Sequence, residues 1–383
     1  MKKKSTFSFS LILKHLTVLF LVLIWTLPTL GLLVSSVRDK DQLTASGWWT
    51  ALVTTERNEV YRTPIADEQV AVEGGWRIYM PLFEAGSDRS IGSWGLRADE
   101  IGLNLPGEKV SLDDGSAISV LESGELDWFS ETPFTHTRGI RVFVDARIPP
   151  RFTFDNYREV LASEGVGQAF INTLTVTLPA TFIPILIAAF AAYALAWMDF
   201  AGRHWLLAGV VGLLVVPLQM SLIPVLQLYN QVGAILGVPS KSYVGVWLAH
   251  TGFGLPLAIY LLRNYMAGLP REIMESARMD GASHFDIFLK IVLPLSIPAL
   301  ASFAIFQFLW VWNDLLVAMV YLGQGVEKIV LTAQLRELLG SRGANWEILT
   351  SGAFITIVVP LVVFLSMQRY FVRGLLAGSV KGG

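Results

Sequence analysis

Six stretches of the chain hold no Asp, Glu, Lys or Arg over 21 or more residues: Leu16–Val37, Gly165–Met198, Trp205–Ser240, Ser242–Leu262, Ile291–Asn313 and Ile348–Gln368. A bilayer core about 30 Å thick takes roughly 20 helical residues at about 1.5 Å each. Each run is long enough to cross, and His250 is the one histidine inside them. Backbone polar groups in lipid must be satisfied within the segment, so helices are expected. The runs predict six transmembrane helices.

The charge that is left is unevenly spread. Residues 37–165 carry 22 of the 31 acidic and 13 of the 29 basic side chains. The other 254 residues keep 9 acids and 16 bases, which describes a membrane protein with one polar insert. The net charge of −2 hides this division and gives no sign of nucleic-acid binding. With the N-terminus inside, the segments assigned to the cytosol carry 12 basic residues against 4 in the short outer loops. That asymmetry predicts both termini in the cytosol; the long insert is exempt because large domains cross regardless of charge. Met1–Lys4 before an apolar run imitates a secretory signal, but the run is too long and Val34-Ser35-Ser36 is a poor cleavage site. An uncleaved first span is expected. The organisation is therefore 1–37, cytosolic N-terminus and first helix; 38–150, inserted periplasmic domain; and 151–383, the five remaining helices.

Within the insert, Trp76–Phe83 and Gly139–Val144 alternate apolar and polar residues, with turns such as Asp113-Asp114-Gly115 between. This predicts a small β-rich external domain. Trp48, Trp49, Trp76, Trp94 and Trp128 are assigned to its core, since cysteine is absent and a small domain needs large apolar side chains. Arg151–Leu161 reads as a short amphipathic segment leading into the second span.

Energy-yielding chemistry is missing. None of the ten lysines follows a glycine, which removes the phosphate loop of a nucleotide hydrolase. No H-E-x-x-H or G-x-S-x-G occurs, and with no cysteine there is no thiolate chemistry or iron–sulfur cluster. The chain is expected to be no enzyme and to need no cofactor or metal. What stands out is the cytosolic segment of about 265–294. Pro270 suits the first turn of a helix, with Glu272 and Glu275 near its positive end. Gly281 offers a left-handed stop, and Ser283 can cap a second short helix. Ser276, Ala277 and Ala282 are small enough for close docking.

Glu275-Ser276-Ala277, then Asp280-Gly281-Ala282, then Ile291-Val-Leu293-Pro294 resembles the coupling motif E-A-A-x3-G-x9-I-x-L-P of ABC importer permeases, with Ser276 the single departure. Phe152–Tyr157, Asn172-Thr173, Ala191–Ala194, Trp312-Asn313-Asp314 and the C-terminal Gly374–Gly383 are similar to the smaller subunit of the maltose-type pair. The insert and the wording of spans three to six resemble the alpha-glucoside permeases. The resemblance implies an all-α polytopic fold of the type I importer kind: six helices, with the β-rich domain inserted after helix one. It implies a bacterial inner-membrane subunit that imports alpha-glucosides, or a polyol or glucosylglycerol-like osmolyte, by alternating access. Its partners would be a second homologous permease subunit, a cytosolic ATPase dimer and a periplasmic sugar-binding protein, in contact with membrane lipid. Glu275 and Gly281 would meet the ATPase. The glycine-rich last ten residues, Gly374–Gly383, are expected to be disordered when free, and the resemblance implies that the tail, Ser379, Val380, Lys381, Gly382 and Gly383, would enter the ATPase dimer interface. The loop Gly323–Glu347, with Gly340–Asn345, would reach the binding protein.

Polar residues in the spans are the pathway candidates, because they are costly in lipid: Gln219, Gln227, His250, Gln307, Asn313 and Asp314. Asp314 falls near the outer face, as a gate or a structural hydrogen-bonding group. His250 reads as an interhelical tie rather than a proton carrier. Pro217, Pro224, Gly252, Gly254 and Pro256 are either flex points or ordinary kinks. A proton-coupled secondary transporter would want paired buried carboxylates, and a membrane-anchored receptor would leave the coupling motif unexplained.

Overall fold

The structure is a computed structural model that describes residues 9–379 apart from 324, 326 and 342–344. It divides into two units, Met1–Arg158 with Ala344–Ser351, and Glu159–Gly343 with Gly352–Gly383.

The first unit begins with helix α1 (Phe9–Ser36), which is apolar on all sides from Leu16 onward and leaves Leu19, Phe20 and Trp25 exposed. A short helix α2 (Lys40–Ala45) follows, with Asp39 as its N-cap. Eight strands come next: β1 (Thr55–Arg62), β2 (Val70–Val72), β3 (Gly75–Pro81), β4 (Ser90–Gly95), β5 (Lys109–Ser111), β6 (Ala117–Val120), β7 (Glu125–Ser130) and β8 (Arg141–Ile148). They form two antiparallel sheets, ordered β1-β8-β4 and β2-β3-β7-β6-β5. Every second residue of β7 and β8 is buried, as the period of a half-buried strand demands. Ile78, Ile91, Ile118, Leu126, Val142 and Val144 build the core with Trp94 and Trp128. Each of these indoles is satisfied, Trp94 Nε1 donating to the Leu105 carbonyl (3.1 Å) and Trp128 Nε1 to Ser116 Oγ (2.9 Å). Trp76 packs against the same core, but Trp48 and Trp49 do not belong to it; Trp49 is 74% exposed. Near this core Arg89 pairs with Glu59 and lies over the Phe83 ring, and burial together with Glu59 pushes the Tyr61 hydroxyl up to about 12.

Helix α3 (Asp155–Ala162) starts where the chain returns beside the end of α1. Asn156 Nδ2 donates to the carbonyls of Ser36 (3.1 Å) and Arg38 (2.8 Å), and the Tyr157 hydroxyl meets Ser36 Oγ (2.6 Å). Asn156 thus satisfies carbonyls that the end of α1 would leave bare, and Tyr157 engages the Ser36 hydroxyl.

The second unit is helical. Its elements are α4 (Val166–Trp197), α5 (Arg203–Leu213), α6 (Leu218–Leu236), α7 (Tyr243–Ala267), α8 (Arg271–Met279), α9 (His284–Ile287), a π turn (Phe288–Val292), α10 (Leu293–Leu295), α11 (Ile297–Asn313), α12 (Leu315–Tyr321), α13 (Leu331–Ser341) and α14 (Trp346–Ser379), the last shared with the first unit. Among the described residues four helices, α1, α4, α7 and α14, are long and apolar enough to cross a membrane, and the number rises to six if each of two bent pairs is one span. Those pairs are α5 with α6, bent by 107°, and His284–Leu295 with α11, bent by 69°. Proline explains both breaks: Pro217 stands at the N-cap of α6, and Pro298 lies in the first turn of α11. Of the anticipated flex points Pro217 is therefore a break, whereas Pro224 lies inside α6, and Gly252, Gly254 and Pro256 lie inside an unbroken α7.

Two sequence expectations need correction. The loop 323–347 contains a helix, α13, whose first amide, Leu331 N–H, donates to Thr173 Oγ1 (2.8 Å). Helix α14 also runs on as far as Ser379, into the Gly374–Gly383 tail for which disorder was expected. Val380, Lys381, Gly382 and Gly383 lie outside the described residues, as do positions 342–344 of the loop.

Asn172 holds α13 and its approach in place. Its Nδ2 donates to the carbonyls of Glu327 and Ile329 (2.9 Å each), while Tyr243 and Gln168 donate to its Oδ1 (2.8 and 2.9 Å). Asn172→Ala leaves two carbonyls bare, which costs about 1–3 kcal/mol when they stay buried. The thermal midpoint of the purified protein should fall by several degrees; an unchanged midpoint would show that the clamp carries no load.

Candidate functional site

Helix α8 is short and two-faced. Pro270 stands at its N-cap, Glu272 in its first turn and Arg278 in its last, each charge placed to oppose the helix dipole. Met274 is 2% exposed and Ala277 half-buried, while the other residues of the helix lie at the surface. The helix ends in a Schellman motif: Ala282 N–H donates to the Ala277 carbonyl and Gly281 N–H to the Arg278 carbonyl, both at 3.0 Å. Gly281 has φ +81°, the left-handed conformation that its position requires. Ser283 Oγ then accepts from Asp286 N–H (3.1 Å) and caps α9, and Asp286 pairs with Lys290 (2.7 Å). Five residues, Phe288–Val292, continue as a π turn into α10.

This capped pair is fixed to the ends of α4 and α7. Met274, Ile287 and Phe288 are buried in one cluster with Tyr193, Leu262 and Met266. The Tyr193 hydroxyl meets His284 Nδ1 (3.0 Å), and its ring lies 5.2 Å from that of Phe288. Arg278 Nη2 donates to the Trp197 carbonyl (3.2 Å), and Trp197 Nε1 to that of Met266 (3.0 Å). Tyr193, Trp197, Met274 and Phe288 were not singled out in the sequence, although the motif Ala191–Ala194 encloses the first of them.

On the outside the pair presents Glu275, Ser276, Asp280 and Gly281, with Met279 83% and Phe285 62% exposed. Beside them Asp280, Gly281, Ala282, Asp286, Lys290 and Ile291 line a depression of about 300 Å3. Ile291 and Leu293 pack partly against the cluster beneath, and Pro294 is exposed. A firmly backed surface with exposed apolar and acidic groups can receive another protein and transmit displacement to α4, α7 and α11.

The six pathway candidates divide. Gln219, Asn313 and Asp314 meet at a cavity of about 560 Å3, together with Leu218, Trp310, Leu315 and Leu316. Asp314 Oδ1 accepts from Val317 N–H (2.9 Å), so this carboxylate serves as the N-cap of α12. Gln227 is exposed further along α6 and does not reach the cavity. His250 and Gln307 are fully buried. Gln307 Nε2 donates to the Ala180 carbonyl of α4 (3.2 Å) and makes a longer contact with the His250 carbonyl of α7 (3.5 Å). Neither ring nitrogen of His250 meets a hydrogen-bond partner among the described residues, and its ring stands edge-on to Trp310. The tie expected at His250 thus runs through its backbone, and Gln307 makes it.

Residues 170–376, more than half of the chain, match the family model described as binding-protein-dependent transport system inner membrane component. The chain is 65% identical over 369 residues to the alpha-glucoside transport system permease protein AglG of Rhizobium meliloti (strain 1021), covering 96% of this chain and 97% of that one. It is 43% identical over 367 residues to the osmoprotective compounds uptake permease protein GgtD of Synechocystis sp. (strain ATCC 27184 / PCC 6803 / Kazusa), covering 96% and 91%. With the trehalose transport system permease protein SugB of Mycobacterium tuberculosis (strain CDC 1551 / Oshkosh) it shares 33% over 240 residues, covering 61% and 84%. The chain belongs to the family of binding-protein-dependent transport system inner membrane components and is a multi-pass permease subunit of an ABC importer.

Proposed function

We propose that the chain forms half of the membrane pathway of an ATP-driven importer for alpha-glucosides. The 65% identity to an alpha-glucoside permease over nearly the whole chain, insert included, carries the substrate class. A glucosylglycerol-like or polyol osmolyte is the second reading, supported by the 43% identity to an osmoprotectant permease over the same span. Each bent pair counts as one crossing, which gives six, with both termini in the cytosol and the β-sheet domain outside. The basic asymmetry and the position of the domain directly after α1 support this topology.

The geometry of α8 and α9 supports the coupling role of residues 265–294. Glu275, Ser276, Asp280 and Gly281 lie on the outer side of a pair whose inner side is anchored by Met274 and Phe288. An ATPase subunit docked there would push on α4 and α7 together and shift the spans between two packings. Glu275 would face a basic group of the ATPase, the chain end beyond Ser379 would extend towards the ATPase dimer, and the 323–347 segment would face the binding protein. Gln219 and Asn313 would line part of the sugar path, with a second permease subunit closing it.

Reporter fusions after Asp39 should read as external, and fusions near Arg203 and Gly281 as internal. Proteoliposomes with the partner subunits should take up a labelled alpha-glucoside when ATP is inside, and do so in the presence of a protonophore. Uptake that collapses with the proton gradient, or an external Gly281, would overturn the reading.

A further inference from the structure

After α1 the chain turns back along it. The Arg38 guanidinium, 1% exposed, donates to the carbonyls of Gln42 and Ser46 (3.1 Å each) and to Ser46 Oγ (2.9 Å). Gln42 is held in turn by the Pro149 carbonyl. The bend so pinned delivers a 3-10 turn, Trp48–Thr50, onto α1. Gly31 permits the contact: a Cβ there would stand 2.7 Å from the Trp48 indole nitrogen. Gly31 lies five residues before the end of α1, about 7.5 Å at 1.5 Å per residue. The turn therefore sits beside the apolar length of the helix, below its first charged neighbour, Arg38.

What the turn shows outward is apolar. Trp49 is 74% exposed, Leu52 80% and Val53 60%, and Trp48 and Trp49 meet edge to face. Half of its N–H groups are satisfied within the turn: Thr50, Ala51 and Val53 donate to the carbonyls of Gly47, Trp48 and Thr50. The Thr50 hydroxyl also donates to Gly47 (2.8 Å). Internal satisfaction of that kind is what a segment leaving water needs. Paired tryptophans are enriched at the polar–apolar boundary of membranes, and interfacial segments sink about 5–10 Å into it.

We propose that residues 48–53 form an interfacial anchor, with Trp49, Leu52 and Val53 immersed in the lipid at the C-terminal end of α1, holding the root of the β-sheet domain to the bilayer. The surface is continuous with the lipid-facing side of α1, and this commits it to lipid rather than to a protein partner. The proposal rests on the reading of α1 as a membrane span.

The natural chain has no cysteine, so single-cysteine variants need no background removal. Leu52→Cys and Val53→Cys would carry a nitroxide in the assembled complex in lipid nanodiscs, with collision by oxygen and by a water-soluble nickel chelate as the readout. Leu19→Cys in mid-α1 is the lipid control, and Leu103→Cys, on an exposed loop of the domain, is the water control. Positions 52 and 53 should favour oxygen, with chelate collision several-fold below that at position 103. If position 19 reads lipid but position 52 collides with chelate as freely as position 103, the anchor is refuted. Protection from both reagents would reveal a protein cover and refute it equally. Chelate access at position 19 would instead overturn α1 as a span.

Discussion

Gly281→Val should cut ATP-driven uptake by about tenfold or more, a 1.4 kcal/mol loss of the docked, coupled state. Gly281 has φ +81°, and for a residue with a Cβ that conformation costs roughly 1–2 kcal/mol. No atom lies within 4 Å of the place a Cβ would take, so the cost comes from the backbone and not from crowding. Relieving it means opening the Ala282-to-Ala277 and Gly281-to-Arg278 bonds, which frees the end of α8 and tilts Glu275 and Ser276. The protein should still insert and purify normally, because the change lies outside the apolar helices. Gly281→Asn is the decisive companion, since asparagine tolerates the left-handed region. It should keep most of the uptake. An asparagine variant as impaired as the valine variant would show that the left-handed turn is not the reason for glycine here.

Gly254→Val should destabilise the helical unit by about 2–6 kcal/mol, summing overpacking and a stranded polar group. A Cβ at 254 would fall 2.7 Å from Gln307 Oε1 and 2.8 Å from Nε2. Gln307 would have to withdraw from the Ala180 carbonyl, and the link between α4, α7 and α11 would open. Yield of assembled complex and uptake should fall together. The pair Gly254→Ala and Gln307→Ala provides the check, because the second change removes the atoms the first would strike. Their effects should be non-additive by more than about 0.5 kcal/mol, the double variant being milder than the sum. Strict additivity would mean that Gly254 is needed for something other than room for Gln307.

The local parts of the coupling segment could be read from the residues alone. Pro270, Gly281 and Ser283 act through their own backbone and their nearest neighbours, so their types announce the caps before any tertiary contact is known. What holds the pair from behind could not be read, because Tyr193 and Met274 meet only after folding. The same divide runs through the spans. Charge-free runs mark α4 and α7 to within a few residues, yet hydropathy passes over Pro298 without registering the bend beside it. Polarity likewise marked Gln219 and Gln307 alike, although one borders a cavity and the other is locked among three helices. Helix α13 was missed where a signal existed: Leu331, Leu335 and Leu338 recur at helical spacing within the presumed loop. Trp48 and Trp49 were assigned to the core by residue type, but α1 and the Arg38 bend decide their place instead.

The π turn at Phe288–Val292 makes residue count, and not only residue type, a variable in this segment. A π turn carries an extra residue over an α turn, and each α-helical residue advances the chain by about 100° and 1.5 Å. Deleting the exposed Leu289 from this turn would restore an unbroken α-helix from His284 to Leu295. It would also swing Glu275 and the rest of the capped surface about 100° around the axis, away from whatever it now faces. Such a deletion would leave every cap and every apolar anchor chemically intact and still change the phase in which the helix pair is presented.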